Sequence, residues 1–278
     1  MLEAAGLAEG VGFEPTIRFP VYTLSKRAPS ATRPSLRSGE ARNIARRFCQ
    51  TTRSGAAVID PSGRPAAPAA AAHPPTLGVL LAGGRARRMG FADKPRIRVG
   101  GATILGRVIA RLDPQCRRLI LNANDDIARF ADTKLPVAAD NVPGYAGPLA
   151  GILAGLDWAA EHTPDIAWIV SVPGDCPFLP RDLVERLHEA RRDGNAAVAC
   201  AGSGARRHPA VGLWPVNLRE DLRRALAQEG VRKVDEWSSR YPRGIAAWRS
   251  DPVDPFFNVN TPAEAAEAER LAARYPDI

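Results

Sequence analysis

One stretch concentrates residue types that handle anions. Leu81-Ala-Gly-Gly-Arg-Ala-Arg-Arg-Met-Gly90 is followed closely by Asp93-Lys94. Adjacent glycines let backbone N–H groups approach a negative group closely. Arg85, Arg87, Arg88 and Lys94 surround that turn with positive charge. Such a loop suits phosphate. It is neither a GxxxxGK[ST] P-loop nor a GxGxxG dinucleotide fingerprint. An isolated Gly83-Gly84 would read as a glycine turn with solvated arginines. The company of Met89-Gly90 and Asp93-Lys94 favours the phosphate reading.

Val172-Pro-Gly-Asp-Cys-Pro177 follows the most strand-like run of the chain. A carboxylate held between prolines and glycine at a strand end suits a Mg²⁺ ligand. Mg²⁺ commonly takes one or two protein carboxylates and completes its shell with phosphate oxygens and water. Asp175 as a turn or helix cap explains the same residue equally well. In Asn258-Val-Asn-Thr-Pro262, Asn258 and Asn260 alternate on a strand-like stretch, so both side chains point the same way. They could hydrogen-bond a polar ligand, or form a turn into the next helix, which suits Asn260 better than Asn258. Tyr145-Ala-Gly-Pro-Leu-Ala-Gly151 opens a helix through glycine and proline. That opening suits an anion at the helix N-terminus or close packing on a sheet. His208-Pro209 is a weaker feature, more often structural. No Ser/His/Asp set with strand-end placement is seen, which disfavours nucleophilic hydrolysis.

These residues need a frame. Leu77 to Ala82 reads as a buried strand ending in the double glycine. Ile104, Leu105, Val108, Ile109 and Leu112 share a helical face. Leu119 to Leu121 and Val137 to Ala139 read as strands. Leu149, Ile152, Leu153 and Leu156 form a helical stripe behind Pro148. Further on come a strand at Ile166 to Val172, a helix at Pro180 to Arg191 and a strand at Ala196 to Cys200. Leu218, Leu222, Ala225 and Leu226 mark another helix. Thr261-Pro262-Ala263-Glu264 is a capping box that starts the last one. Strands alternating with helices predict a doubly wound α/β sheet, mostly parallel, with helices on both faces. Ligands bind outside the carboxyl ends of such strands. That rule selects Gly83-Gly84, Asn122, Asp140, Asp175 and Asn258.

The chain has 278 residues and a net charge of +8, with 45% hydrophobic and 24% charged residues. That is ordinary globular composition. Residues 1–75 hold nine prolines and a net charge of +5, and no apolar period persists there. They read as a disordered or spurious N-terminal extension, and residues 76–278 as the domain. Val11 to Arg37 resembles translated stable-RNA gene sequence. The domain itself carries only +3, so the basic balance gives little support to a nucleic-acid partner. The longest apolar runs fall far short of the ~20 residues of a membrane span. Cys49, Cys116, Cys176 and Cys200 form no CxxC pair, which fits a reducing cytoplasm.

From residue 77 to 275 the chain resembles the molybdenum cofactor guanylyltransferases, nucleotidyltransferases with a Rossmann-like fold in a single domain. The resemblance rests on Leu81-Ala-Gly-Gly84, Arg88-Met-Gly90, Asp93-Lys94, Asn122-Ala-Asn124, Gly147-Pro-Leu-Ala-Gly151, Pro173-Gly-Asp175 with Pro177, His208-Pro209 and Asn258-Val-Asn-Thr-Pro262. The double glycine and the Asn-Val-Asn-Thr-Pro ending set it apart from the related cytidylyltransferases. It implies that Leu81, Ala82 and Gly83 bind GTP through their backbone, that Lys94 contacts the phosphates, and that Asn122 and Asp140 complete the pocket. It implies that Asp175 binds GTP and Mg²⁺, and that Lys94 and Asp175 carry the catalysis. Arg88, Asn258 and Asn260 are implied on the molybdopterin side. GTP and molybdenum-molybdopterin would be the substrates, with molybdoenzyme chaperones or other cofactor-assembly proteins as further partners. Arg96 and Arg98 depart from the apolar residues usual there, which predicts a more exposed local strand. Two other functions compete: a cytidylyl- or sugar-phosphate nucleotidyltransferase, and a non-catalytic carrier of the cofactor.

Overall fold

The computed structural model describes residues 73–83, 96–124, 127–142 and 147–278. Gly84, Arg85, Arg87, Arg88, Met89, Gly90, Asp93, Lys94 and Tyr145, with the stretch 1–72, lie outside the described residues. In chain order the elements are β1 (Thr76–Leu81), β2 (Arg98–Val99), β3 (Ala102–Thr103), α1 (Ile104–Leu112), β4 (Arg118–Asn122), β5 (Val137–Ala138), α2 (Pro148–His162), β6 (Trp168–Pro173), α3 (Leu183–Asp193), β7 (Val198–Ser203), β8 (Arg206–Pro215), α4 (Arg219–Ala227), α5 (Val234–Ser238), β9 (Arg243–Trp248) and α6 (Pro262–Arg274).

The main sheet has seven strands in the order β5-β4-β1-β6-β8-β7-β9. β5, β4, β1 and β6 run parallel, and β7 is parallel to β9. β8 runs antiparallel to both β6 and β7. Side chains alternate between two cores. On one face Leu80, Leu121, Val170 and Leu213 pack with α1, α3 and α6. On the other, Leu77, Val79, Ile169 and Trp214 pack with α2, α4 and α5. The doubly wound α/β architecture of one domain is therefore present.

The expected elements form where their sequences place them, with three differences. The helix expected from Pro180 starts at Leu183, after a turn that holds Pro180. β8 and β9 were not expected, nor were the short β3 and α5. β8 contains Pro209, which cannot donate to a ladder. It sits in a bulge: Cys200 pairs with Gly212 and Ala201 with His208, so residues 209–211 have no partner on β7. Finally, Asn258 to Asn260 is irregular chain and not a strand. The expected exposure near Arg96 and Arg98 is found, since both are exposed while Val99 is buried.

Candidate active site

The carboxyl ends of β1, β4, β5 and β6 meet at one end of the sheet and bring together six predicted residues: Leu81, Ala82, Gly83, Asn122, Asp140 and Asp175. Ala82 N–H donates to Asn122 O at 2.9 Å, and Gly174 N–H donates to Leu81 O at 3.0 Å. These bonds extend the parallel pairing by one step, with Ala82 against Gly174 and Gly83 against the Asn122 and Asn124 amides. They also engage the Leu81 carbonyl and the Ala82 N–H within the protein.

Asn122 is 3% exposed and builds one wall. Its Nδ2 donates to Ala138 O at 3.1 Å and to Asp140 Oδ1 at 2.9 Å. Asn124, two residues on, donates from Nδ2 to Asp140 Oδ2 at 2.7 Å and accepts from Asp140 N–H at 2.7 Å. Each Asp140 oxygen thus receives an amide, which fixes the carboxylate in place and ties β4 to β5. Asn124 is the residue the site reasoning missed. Its signal was the Asn-x-Asn spacing, which puts two amides on one side of an extended chain.

The helix opening at Gly147 proves to be a packing device as well as a helix start. Gly147 has φ +71°, a region L side chains rarely adopt. A Cβ on Gly151 would lie 2.3 Å from Asn122 Oδ1 and 2.7 Å from Leu81 Cδ2. Only glycine lets the first turn of α2 sit against Asn122. The same contact sets the N-terminal end of α2 beside Asn122, where its dipole favours an anion.

Asp175 is half-buried just past β6. Its backbone carbonyl accepts from Val259 N–H at 3.0 Å, which draws the Asn258 to Asn260 segment onto the site. The Cys176 thiol bridges the same two segments, 3.8 Å from Asp175 Oδ1 and 3.9 Å from Phe256 O. Asn260 Nδ2 donates to Asn258 Oδ1 at 2.7 Å, so the two amides do share a side, although no strand puts them there. Asn260 N–H belongs to the cap of α6, donating to Glu264 Oε2 at 2.7 Å. His208 lies nearby, with Nε2 2.7 Å from Ser203 Oγ and its ring 4.7 Å from that of Phe256. Burial pulls its pKa down against the opposing charge of Asp254.

Among the described residues no group of three or more His, Cys, Asp or Glu could hold a metal. An all-protein metal cage is absent there. A single strand-end carboxylate fits a Mg²⁺ ion that shares its shell with substrate phosphates. Arg88 and Lys94 cannot be placed against this arrangement, because they lie outside the described residues.

Residues 78–242 match the family model of the MobA-like NTP transferase domain. The chain is 59% identical over 200 residues to a protein of Nitrobacter hamburgensis named Molybdenum cofactor guanylyltransferase, covering 72% of this chain and 96% of that one. It is 60% identical over 199 residues to one of the same name from Rhodopseudomonas palustris, covering 72% and 93%. Its fold is similar to the crystal structure of Molybdopterin-guanine dinucleotide biosynthesis protein A from Archaeoglobus fulgidus. That match has a TM-score of 0.55 at 21% identity, over 72% of this chain and 99% of the other.

Proposed function

The chain belongs to the MobA-like NTP transferase family, and from that premise we propose that it transfers GMP from GTP to molybdenum-molybdopterin. Pyrophosphate leaves, and the molybdopterin guanine dinucleotide cofactor remains. The observation that carries this reading is identity of 59% to a named guanylyltransferase over 96% of that relative's length.

In the reaction an acceptor phosphate oxygen attacks the α-phosphorus of GTP. The new P–O bond forms as the bond to the β-phosphate breaks, and the electron pair leaves with pyrophosphate. No protein nucleophile is needed, so catalysis is positioning and charge neutralisation. The Leu81 to Gly83 turn, Asn122 and Asp140 hold the nucleotide. Lys94 neutralises its phosphates. Arg88, Asn258 and Asn260 take the pterin side, and the bond from Val259 to Asp175 supports this by joining that segment to the metal-holding residue. Asp175 would hold Mg²⁺, which when bound withdraws charge from the phosphate oxygens.

Residues 76–278 form the working domain, without nucleic acid or membrane. No helix among the described residues is long and apolar enough to cross a membrane. We place the protein in the cytoplasm, with molybdoenzyme chaperones or other cofactor-assembly proteins receiving its product. Cys116 and Cys200 are free thiols, which fits a reducing compartment.

The test is Mg²⁺-dependent pyrophosphate release with molybdenum-loaded molybdopterin, comparing GTP with CTP. Release with GTP alone is expected. Release with CTP instead moves the chain to cytidylyl transfer, and release with neither overturns the reaction.

A further inference from the structure

Nine residues, Gly174 to Asp182, separate β6 from α3 without regular structure, and Asp175 is the second of them. Three carbonyls in this run are met by side chains from one stripe of α1 and the turn that follows it. Arg107 Nε donates to Pro177 O at 3.4 Å. Arg111 Nη1 donates to Leu179 O at 2.9 Å. Gln115 Nε2 donates to Pro180 O at 2.9 Å. The spacing of four puts these side chains one above another. Gln115 Oε1 also accepts from Val184 N–H at 2.9 Å, in place of the cap that Asp182 does not supply to α3.

We propose that Arg107, Arg111 and Gln115 are positioning residues for Asp175, holding its segment against α1 so that the carboxylate stays aligned with the metal and phosphates. The proposal rests on the reading of Asp175 as the metal-holding residue. Arg111 is 8% exposed, and among the described residues no ion pair offsets its charge. A buried cation is costly without a partner. Packing Leu179 and Phe178, each 1% exposed, does not require one. What a guanidinium adds is a charged, rigid donor for a carbonyl that nothing regular satisfies. Misplacement of a reacting group by about 1 Å can cost ~10²-fold in rate.

The experiment titrates Mn²⁺ into the full chain with GTP, followed by electron paramagnetic resonance, beside steady-state pyrophosphate release and thermal unfolding. Arg111→Met should weaken Mn²⁺ binding about 10-fold or more and lower kcat about 10- to 100-fold, as loss of an outer partner of a metal ligand does. KM for GTP should stay within about 3-fold, because the nucleotide wall is untouched. Arg111→Lys, which keeps a charged donor, should recover most of both effects. Glu185→Gln, at an exposed position on the first turn of α3 outside the segment, should match wild type. If Arg111→Met does not fold, Gln115→Leu serves, with the same signs. A folded variant with a lower Tm but wild-type Mn²⁺ affinity and kcat overturns the proposal. Wild-type chain that binds Mn²⁺ and GTP yet releases no pyrophosphate would sink the proposed reaction, and the Mn²⁺ arm would still decide this one.

Discussion

Two carboxylates at the strand ends, Asp140 and Asp175, differ in their partners. Both Asp140 oxygens are taken by Asn122 and Asn124 amides. Asp175 gives its main-chain carbonyl to Val259 N–H and has the Cys176 thiol 3.8 Å from Oδ1. Asp175→Asn keeps the volume and removes the charge. It should lower pyrophosphate release by ~10³-fold, the equivalent of several kcal/mol of lost transition-state stabilisation, while urea unfolding stays near wild type. Activity within about 10-fold would remove Asp175 from the catalytic role. Asp140→Ala instead strips the amides of buried Asn122 and half-buried Asn124 of an acceptor, which costs about 1–3 kcal/mol of stability. GTP affinity should fall with it, since the wall loosens. Equal urea midpoints for Asp140→Ala and wild type would contradict that wall. Asp175 could be singled out from Pro-Gly-Asp-Cys-Pro after a strand. The Asn124 partnership could not, because its acceptor lies 16 residues on and only pairing of β4 with β5 brings the two together.

At the scale of elements, legibility followed local consistency. The last helix announced itself by Thr261, Pro262 and Glu264, and the full capping box is formed. β1, β4 and β6 were short apolar runs with no competing pattern. β8 failed to show because its first half is Arg206, Arg207, His208 and Pro209, and its bulge breaks the alternation. β9 sits on the sheet edge with Ile245 42% exposed and only Gly244 and Ala246 buried, a weak signal in either period. The sharpest element-scale prediction concerns α2. Gly151→Ala adds one methyl, and helix propensity alone would reward it. That methyl would lie 2.3 Å from Asn122 Oδ1, so α2 or Asn122 must move. The expected outcome is a loss of about 1–3 kcal/mol from overpacking and weaker GTP binding by calorimetry. A more stable variant with unchanged GTP affinity would show that α2 does not brace the nucleotide wall.

Over the whole molecule, one buried imidazole reports how α3, β1 and β6 close on each other. His188 on α3 is 1% exposed, with Nε2 2.8 Å from Thr76 Oγ1 of β1 and its ring edge-on to Trp168 of β6. Thr76 Oγ1 donates to Pro74 O at 2.8 Å, so it accepts from His188 and the neutral imidazole is the form that fits. Nδ1 is buried with no partner. Burial, then the neighbouring His73, Arg191 and Arg192, lower the His188 pKa to about 3. In the unfolded chain it returns to about 6.5. Between those values the unfolded state binds the extra proton, so stability rises with pH across the window and levels off above it. The slope from this one group reaches about 1.4 kcal/mol per pH unit. His188→Gln keeps an amide donor for Thr76 and cannot titrate. The urea-derived stability of the variant should therefore fall less than that of wild type between pH 7 and pH 4. Other groups contribute equally to both chains, so the difference between the two curves isolates His188. Parallel curves would mean that His188 opens to water in the folded protein and that the contact of α3 with β1 is looser than this geometry.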